Sequence, residues 1–142
     1  MKNLTVSAFI IGASLFSACQ QAAEPHPVIV AHVDAFNARD FDAMSRVEHP
    51  EIEWIRVLGS DVRVDISGRE TLAKILQDYT ASTPDVAGAL RDWSVNGDYV
   101  SVTETATWTA VDGSRKAQST LTVYQLEDGL IRRVWYYPSV PK

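Results

Sequence analysis

The stretch Leu90–Tyr137, LRDWSVNGDYVSVTETATWTAVDGSRKAQSTLTVYQLEDGLIRRVWYY, decides the architecture. Three turn signals, Asn96-Gly97-Asp98, Asp112-Gly113-Ser114 and Glu127-Asp128-Gly129, cut it into four runs rich in Val, Thr, Trp and Tyr. Such residues suit a pleated, half-buried surface, and Asn-Gly or Asp-Gly between two such runs marks a hairpin. The segment therefore reads as a four-stranded antiparallel meander. Its apolar face needs a cover. Upstream, Val28–Phe36 and Leu72–Tyr79 are amphipathic at helical spacing, so the chain predicts helices packed on a curved antiparallel sheet, an α+β fold.

Working upstream from the meander, Thr80–Gly88 reads as a loop because it holds Pro84 and ends at Gly88. Before it, Leu72, Ile75, Leu76 and Tyr79 form the apolar stripe of a third helix, and Ser67 and Glu70 have the spacing of a capping box at its start. Val62–Ile66 is a short strand beyond the turn Gly59-Ser60-Asp61. In Glu51–Leu58, period-2 alternation puts Ile52, Trp54 and Arg56 on one face of a strand. The first helix starts near Pro27, which a first turn accepts, and aligns Ile29, His32, Val33 and Phe36. Asn37-Ala38-Arg39 closes it, and Asp40 is the expected N-cap of a short second helix through Phe41, Met44 and Val47.

At the N-terminus, Lys2 precedes the apolar run Leu4–Phe16, and Ser17-Ala18 leads to Cys19, the only cysteine. A membrane span wants about 20 apolar residues; this run is shorter, so residues 1–18 are expected to be an export signal peptide. Cys19 sits as in a bacterial lipobox, although Phe16 stands where an aliphatic residue is usual. Its expected fate is lipidation, with residues 19–27 as a short tether and 28–138 as the domain. The alternative is a secretory signal cleaved near Ala22-Ala23. The lipidated form would sit at the cell envelope, and its resemblance to Gram-negative lipoproteins, with Gln20 and not aspartate after the cysteine, implies an outer membrane, facing the periplasm. A lone cysteine makes no internal disulfide, so the domain must stand on its core. Eighteen acidic against thirteen basic residues give a net charge of −5, and the basic residues are scattered. Nucleic acid is therefore excluded as a partner, and the membrane is met through the lipid anchor only.

The order of elements, the helix end Asp34-Ala35-Phe36-Asn37-Ala38-Arg39-Asp40-Phe41-Asp42, the His49-Pro50-led strand with Trp54, Ser67-Gly68-Arg69-Glu70 and the closing Asp128-Gly129-Leu130-Ile131 together carry a resemblance. Over Val28–Tyr137 the chain resembles the nuclear transport factor 2-like superfamily, in particular its SnoaL-like branch. The resemblance implies a cone-shaped sheet with about three helices, a cystatin-like roll, a pocket at the open end and a homodimer formed through the sheet. Some members are isomerases, cyclases or dehydratases and many are not enzymes, so the fold alone settles no reaction. Against the ketosteroid isomerase pattern, Arg56 stands at the general base, His32 at the helical hydrogen-bond donor and about Thr122 at the protonated aspartate. Arginine cannot act as a base near neutral pH. That mechanism is excluded.

Glu104 interrupts the apolar face Val100, Val102, Ala106 and Trp108, and a carboxylate facing a core must be paired or hold its proton. Arg56 and His32 are the basic groups expected near it, which makes His32 and Glu104 the catalytic candidates. The bland reading is a bulge that turns Glu104 outward, or a satisfied ion pair. The expected ligand-binding set is His32, Trp54, Arg56, Tyr79, Glu104 and Thr122. Whether Thr122 shares a face with Glu104 depends on an odd or even loop at Asp112–Arg115, since a one-residue slip swaps faces. The wider aromatic set, Trp54, Tyr79, Trp93, Trp108, Trp135 and Tyr137, reads first as core and interface. There is no phosphate loop, nucleophile elbow or Cys/His cluster, so no metal and no cofactor is implied. His49, Glu48 and Glu51, close together on a helix-to-strand turn, are expected to be solvated and not metal-binding. Two functions follow: a pocket for a small organic molecule, anionic if Arg56 faces it, with or without catalysis; or a non-catalytic interaction module of the envelope.

Overall fold

A computed structural model describes residues 23–142; the expected signal peptide, Cys19 and the start of the expected tether lie outside the described residues. The elements run α1 (Pro27–Ala38), α2 (Phe41–Arg46), β1 (Glu48–Leu58), β2 (Asp61–Ser67), α3 (Arg69–Ser82), β3 (Ala87–Asn96), β4 (Tyr99–Thr109), β5 (Arg115–Glu127), β6 (Leu130–Tyr136) and β7 (Val140–Pro141). The sheet order is β2-β1-β6-β5-β4-β3, with β7 pairing β5. The meander forms as the turn signals predict. Every pair is antiparallel except β1 with β6, which is parallel. The sheet is therefore mixed, where antiparallel pairing throughout is expected from the sequence: α3 and the meander form a long crossover that brings the chain back to β1 in the same direction.

Local chemistry sets the helix ends. Pro27 occupies the first turn of α1, and Arg39 ends the helix in the left-handed region with φ 61°. The Arg39 guanidinium offsets that conformation by bonding the carbonyls of Phe36, Pro84 and Val86 at 2.9, 2.8 and 2.7 Å, clamping the α3–β3 loop to α1. The Asp40 carboxylate caps α2 by accepting from the Ala43 amide at 2.8 Å. The capping box predicted for α3 does not form. Ser67 is the last residue of β2, opposite Glu53, and the N-cap is Gly68 at φ 88°, whose amide donates to the Ile52 carbonyl. A left-handed junction there suits glycine and leaves no room for a serine cap. Helix α3 also runs to Ser82, three residues into the predicted loop.

The core lies between the helices and the concave face of the sheet. Ile29, Met44, Ile52, Leu72, Val100, Val102, Tyr124, Ile131 and Val134 are all at most 1% exposed. Strand alternation supplies the sheet half of that list, and the helical stripes supply the rest.

Candidate functional site

Between α1, α3 and the concave face of the sheet lies a cavity of about 400 Å³. Val33 and Phe36 of α1, Ile75, Leu76 and Tyr79 of α3, and Val86 make its wall largely apolar. Helix α1 approaches β3 closely because position 88 has no side chain: a Cβ on Gly88 would come within 3.3 Å of Val33 Cγ1. The Asn37 amide fixes this contact, donating to the Gly88 carbonyl at 2.9 Å and accepting from its N–H at 2.8 Å.

Polar side chains enter this apolar wall from three strands and one helix. Glu104 continues the inward alternation of Val100 and Val102 on β4. The loop from Ala110 to Ser114 has an odd number of residues, and the register places Val102 opposite Thr122 and Glu104 opposite Thr120. Thr122 therefore shares Glu104's face, with Thr122 Oγ1 3.4 Å from Glu104 Oε2. The Tyr124 hydroxyl donates to the same oxygen at 3.2 Å. Removal from bulk water pushes the Glu104 carboxyl above the usual carboxylate range, and the nearby His32 and the two hydroxyls only partly oppose it. Burial, then the Glu104 charge, pushes the phenols of Tyr124 and Tyr136 well up, so both remain protonated donors. Trp54 of β1 stacks obliquely on Tyr136 with ring centres 5.0 Å apart.

His32 enters from α1 and is 4% exposed. Its partner is neither Glu104 nor Arg56 but Glu48, at the start of β1, with Nε2 and Oε1 2.9 Å apart. Glu48 is fully buried. The expectation of a solvated carboxylate there is corrected: the strand begins at Glu48 itself, with a register irregularity before Glu53, so Glu48 belongs to the inner layer and not to a turn.

Arg56 is likewise displaced from its expected partner. Its guanidinium binds Asp65 at 2.5 Å and is half-exposed, lining a smaller cavity of about 280 Å³ with Trp54, Asp65 and Tyr136. The Asp65 hydrogen bond holds Arg56 above, and Asp65 below, their ordinary ranges. Two facts account for this. Strands β6 and β5 stand between β1 and β4, so Arg56 and Glu104 lie on strands three places apart in the sheet and not on neighbours. A bulge in β2, where Trp54 faces Ile66 but Ile55 faces Val64, leaves Asp65 as the extra residue beside Arg56. Of the residues singled out from sequence, His32, Trp54, Tyr79 and Glu104 line the main cavity, Thr122 stands behind Glu104, and Arg56 lies outside. Tyr124, Tyr136 and Glu48 were not singled out; alternation from Thr122 and Val134 carried the signal for the two tyrosines. Among the described residues no cluster of metal-ligating side chains occurs.

A model of the SnoaL-like domain matches residues 29–134. The chain belongs to the SnoaL-like domain family. Solved structures agree on the fold of this SnoaL-like domain. A protein with a ketosteroid isomerase-like fold from Catenulispora acidiphila, in complex with trimethylamine, is 14% identical at a TM-score of 0.69, covering 82% of this chain and 88% of that one. Wild-type IdmH of Streptomyces antibioticus, a proposed polyketide cyclase, is 19% identical at a TM-score of 0.65, covering 81% and 89%. An uncharacterised cystatin-fold protein of Novosphingobium aromaticivorans is 25% identical at a TM-score of 0.65, covering 77% and 93%. No curated protein matches the sequence.

Proposed function

We propose that the cavity binds a small, largely apolar organic molecule bearing a carbonyl group, and that Glu104 moves a proton on it, as in an isomerase, cyclase or dehydratase. The observation that carries this reading is the state of Glu104. Burial raises its pKa while Tyr124 and Thr122 fix its orientation, and a carboxyl poised nearer to neutrality takes and returns a proton more readily than an ordinary one. The protonated Tyr124 and Tyr136 hydroxyls supply donors for the oxygen on which negative charge would develop. IdmH's description as a proposed polyketide cyclase is in keeping with such chemistry. Arg56 is already paired with Asp65, so the reason to expect an anionic ligand weakens and a neutral one is favoured.

The test uses 2-tetralone in deuterated buffer, with deuterium uptake at its acidic carbon followed by NMR. Wild type should accelerate exchange, and Glu104→Gln should lower that acceleration by about 10²-fold or more. Equal rates in the two proteins would sink the assignment of Glu104.

The interaction-module reading keeps one specific support. Tyr99 and Leu121 are nearly half-exposed on the outer face of the sheet, where Tyr99 also packs against Trp135. We propose that this face pairs two copies of the chain. We also propose that Cys19 is lipidated and anchors the domain at the envelope, on the strength of the Leu4–Phe16 run and the small residues Ser17-Ala18 between it and the cysteine. Mass spectrometry of the mature protein should find a diacylglyceryl group on Cys19; a soluble form beginning after Ala23 would exclude the anchor.

A further inference from the structure

Past Glu104 the main cavity adjoins another compartment on the concave face, of about 250 Å³, and Glu104, Ala106, Gln118 and Tyr136 line both. The chemistry changes across that boundary. The compartment adds Thr120, Tyr137 and Ser139, where the main cavity has Ile75, Leu76 and Val86. Its polar residues are accessible: Gln118 and Ser139 are exposed and Thr120 is half-buried.

The C-terminal segment builds this compartment. Thr122 pairs with Tyr136 and Ser119 with Val140, so residues 137–139 stand opposite only Thr120 and Leu121 of β5. Pro138 has no N–H to continue the ladder, and the extra residue makes a bulge, a device that re-aims side chains beside a site. Here Ser139 Oγ lies 3.4 Å from Gln118 Oε1, and the Thr120 hydroxyl donates to the Tyr137 carbonyl at 2.8 Å. With its oxygen engaged, Gln118 keeps its amide N–H donors, while Thr120 and Ser139 keep oxygen lone pairs.

We propose that this compartment is a subsite for a short, uncharged, hydroxyl-bearing arm of the ligand, and that Gln118 is the residue that selects it. The ring then fills the apolar cavity, the arm lies against Gln118, Thr120 and Ser139, and Glu104 stands at the junction. A hydroxyl both donates and accepts, which matches that mixture of donors and lone pairs. An anionic arm does not fit, because among the described residues no basic side chain lines the compartment and Glu104 does. The inference deepens the proposed function and rests on its reading of the main cavity as a ligand site.

The probes are 2-propionylnaphthalene and 2-(hydroxyacetyl)naphthalene, which share ring and carbonyl and differ by a terminal methyl or hydroxyl. A third, 2-tetralone, is short enough for the apolar cavity alone. Each is titrated calorimetrically into the full chain. Wild type should bind the hydroxyl form about five- to tenfold more tightly than the methyl form, the worth of one hydrogen bond, and Gln118→Leu should bring the ratio near one. In the wild-type complex, nuclear Overhauser contacts should join the hydroxymethylene protons to the Gln118 amide and the ring protons to Ile75. The opposite orientation overturns the subsite. So does equal affinity of wild type for the two ketones, or a preference that survives Gln118→Leu. If 2-tetralone binds and neither ketone does, the compartment is closed to ligands and this inference fails while the cavity reading stands; if none of the three binds, both fail.

Discussion

Glu104 leaves bulk water to stand in the cavity wall, and that displacement has a measurable signature in stability. Its folded-state pKa is raised, so the folded protein holds the proton more tightly than the unfolded chain. The contribution is fully present below the ordinary value of 4.5 and is lost as pH rises toward the folded value. Glu104→Gln keeps the hydrogen-bonding shape without the charge. The melting temperature of the variant should therefore gain on wild type as pH is raised from 4 to 8; a gap that stays constant over that range would mean that Glu104 is not held above its ordinary value. Arg39 offers a second test at this scale. Removing a guanidinium that bonds three carbonyls in two segments, in Arg39→Ala, should cost about 1.5–3 kcal/mol in urea unfolding and loosen the cavity mouth at Phe36 and Val86. Glu104 was legible because it breaks an apolar alternation in a strand with clear ends. Glu48 was not, since His49-Pro50 resembles a turn and the irregular start of β1 hides the face on which Glu48 falls.

Elements were more legible than their junctions. The three turns between the meander strands carry Asn-Gly or Asp-Gly signals that act within a few residues, so local chemistry suffices to place them, whereas β3 begins at Ala87, inside the predicted loop, where no such signal stands. The β2–α3 junction shows where local chemistry misleads. Ser67 and Glu70 have capping-box spacing, yet strand pairing claims Ser67 and hands the turn to Gly68. Gly68→Ala forces an L side chain to φ 88° and should lower stability by about 1–3 kcal/mol in chemical denaturation, whereas Ser67→Ala, removing no cap, should change it by less than about 0.5 kcal/mol. The reverse result would restore the serine cap. The bulge at Asp65 is invisible for a related reason: an extra residue in an edge strand leaves no compositional trace, and it alone decides which carboxylate meets Arg56.

At the scale of the molecule, helices cover one face of the sheet and leave the other bare. The outer face carries Tyr99, Leu121 and Trp135 beside the threonines of β4, a surface suited to a second sheet. Sedimentation should find a dimer, and Leu121→Glu, placing a charge at a side chain 48% exposed, should shift it to monomer without loss of fold. A wild-type monomer at high concentration would remove the dimer from the proposal. The curved sheet and its helical cover followed from patterning alone, but the parallel contact of β1 with β6 did not, because no local signal joins segments so far apart. That contact governs when the molecule can form. The Glu53–Arg133 pair at its centre joins residues 80 positions apart, and the β1–β2 hairpin has no other strand to lie against. A chain still missing β6 holds two incomplete halves, each with an open edge, so folding waits for that late strand and is slow for a domain of this size. Such a delay keeps the emerging polypeptide threadable, the condition that the proposed export through a translocation channel would require.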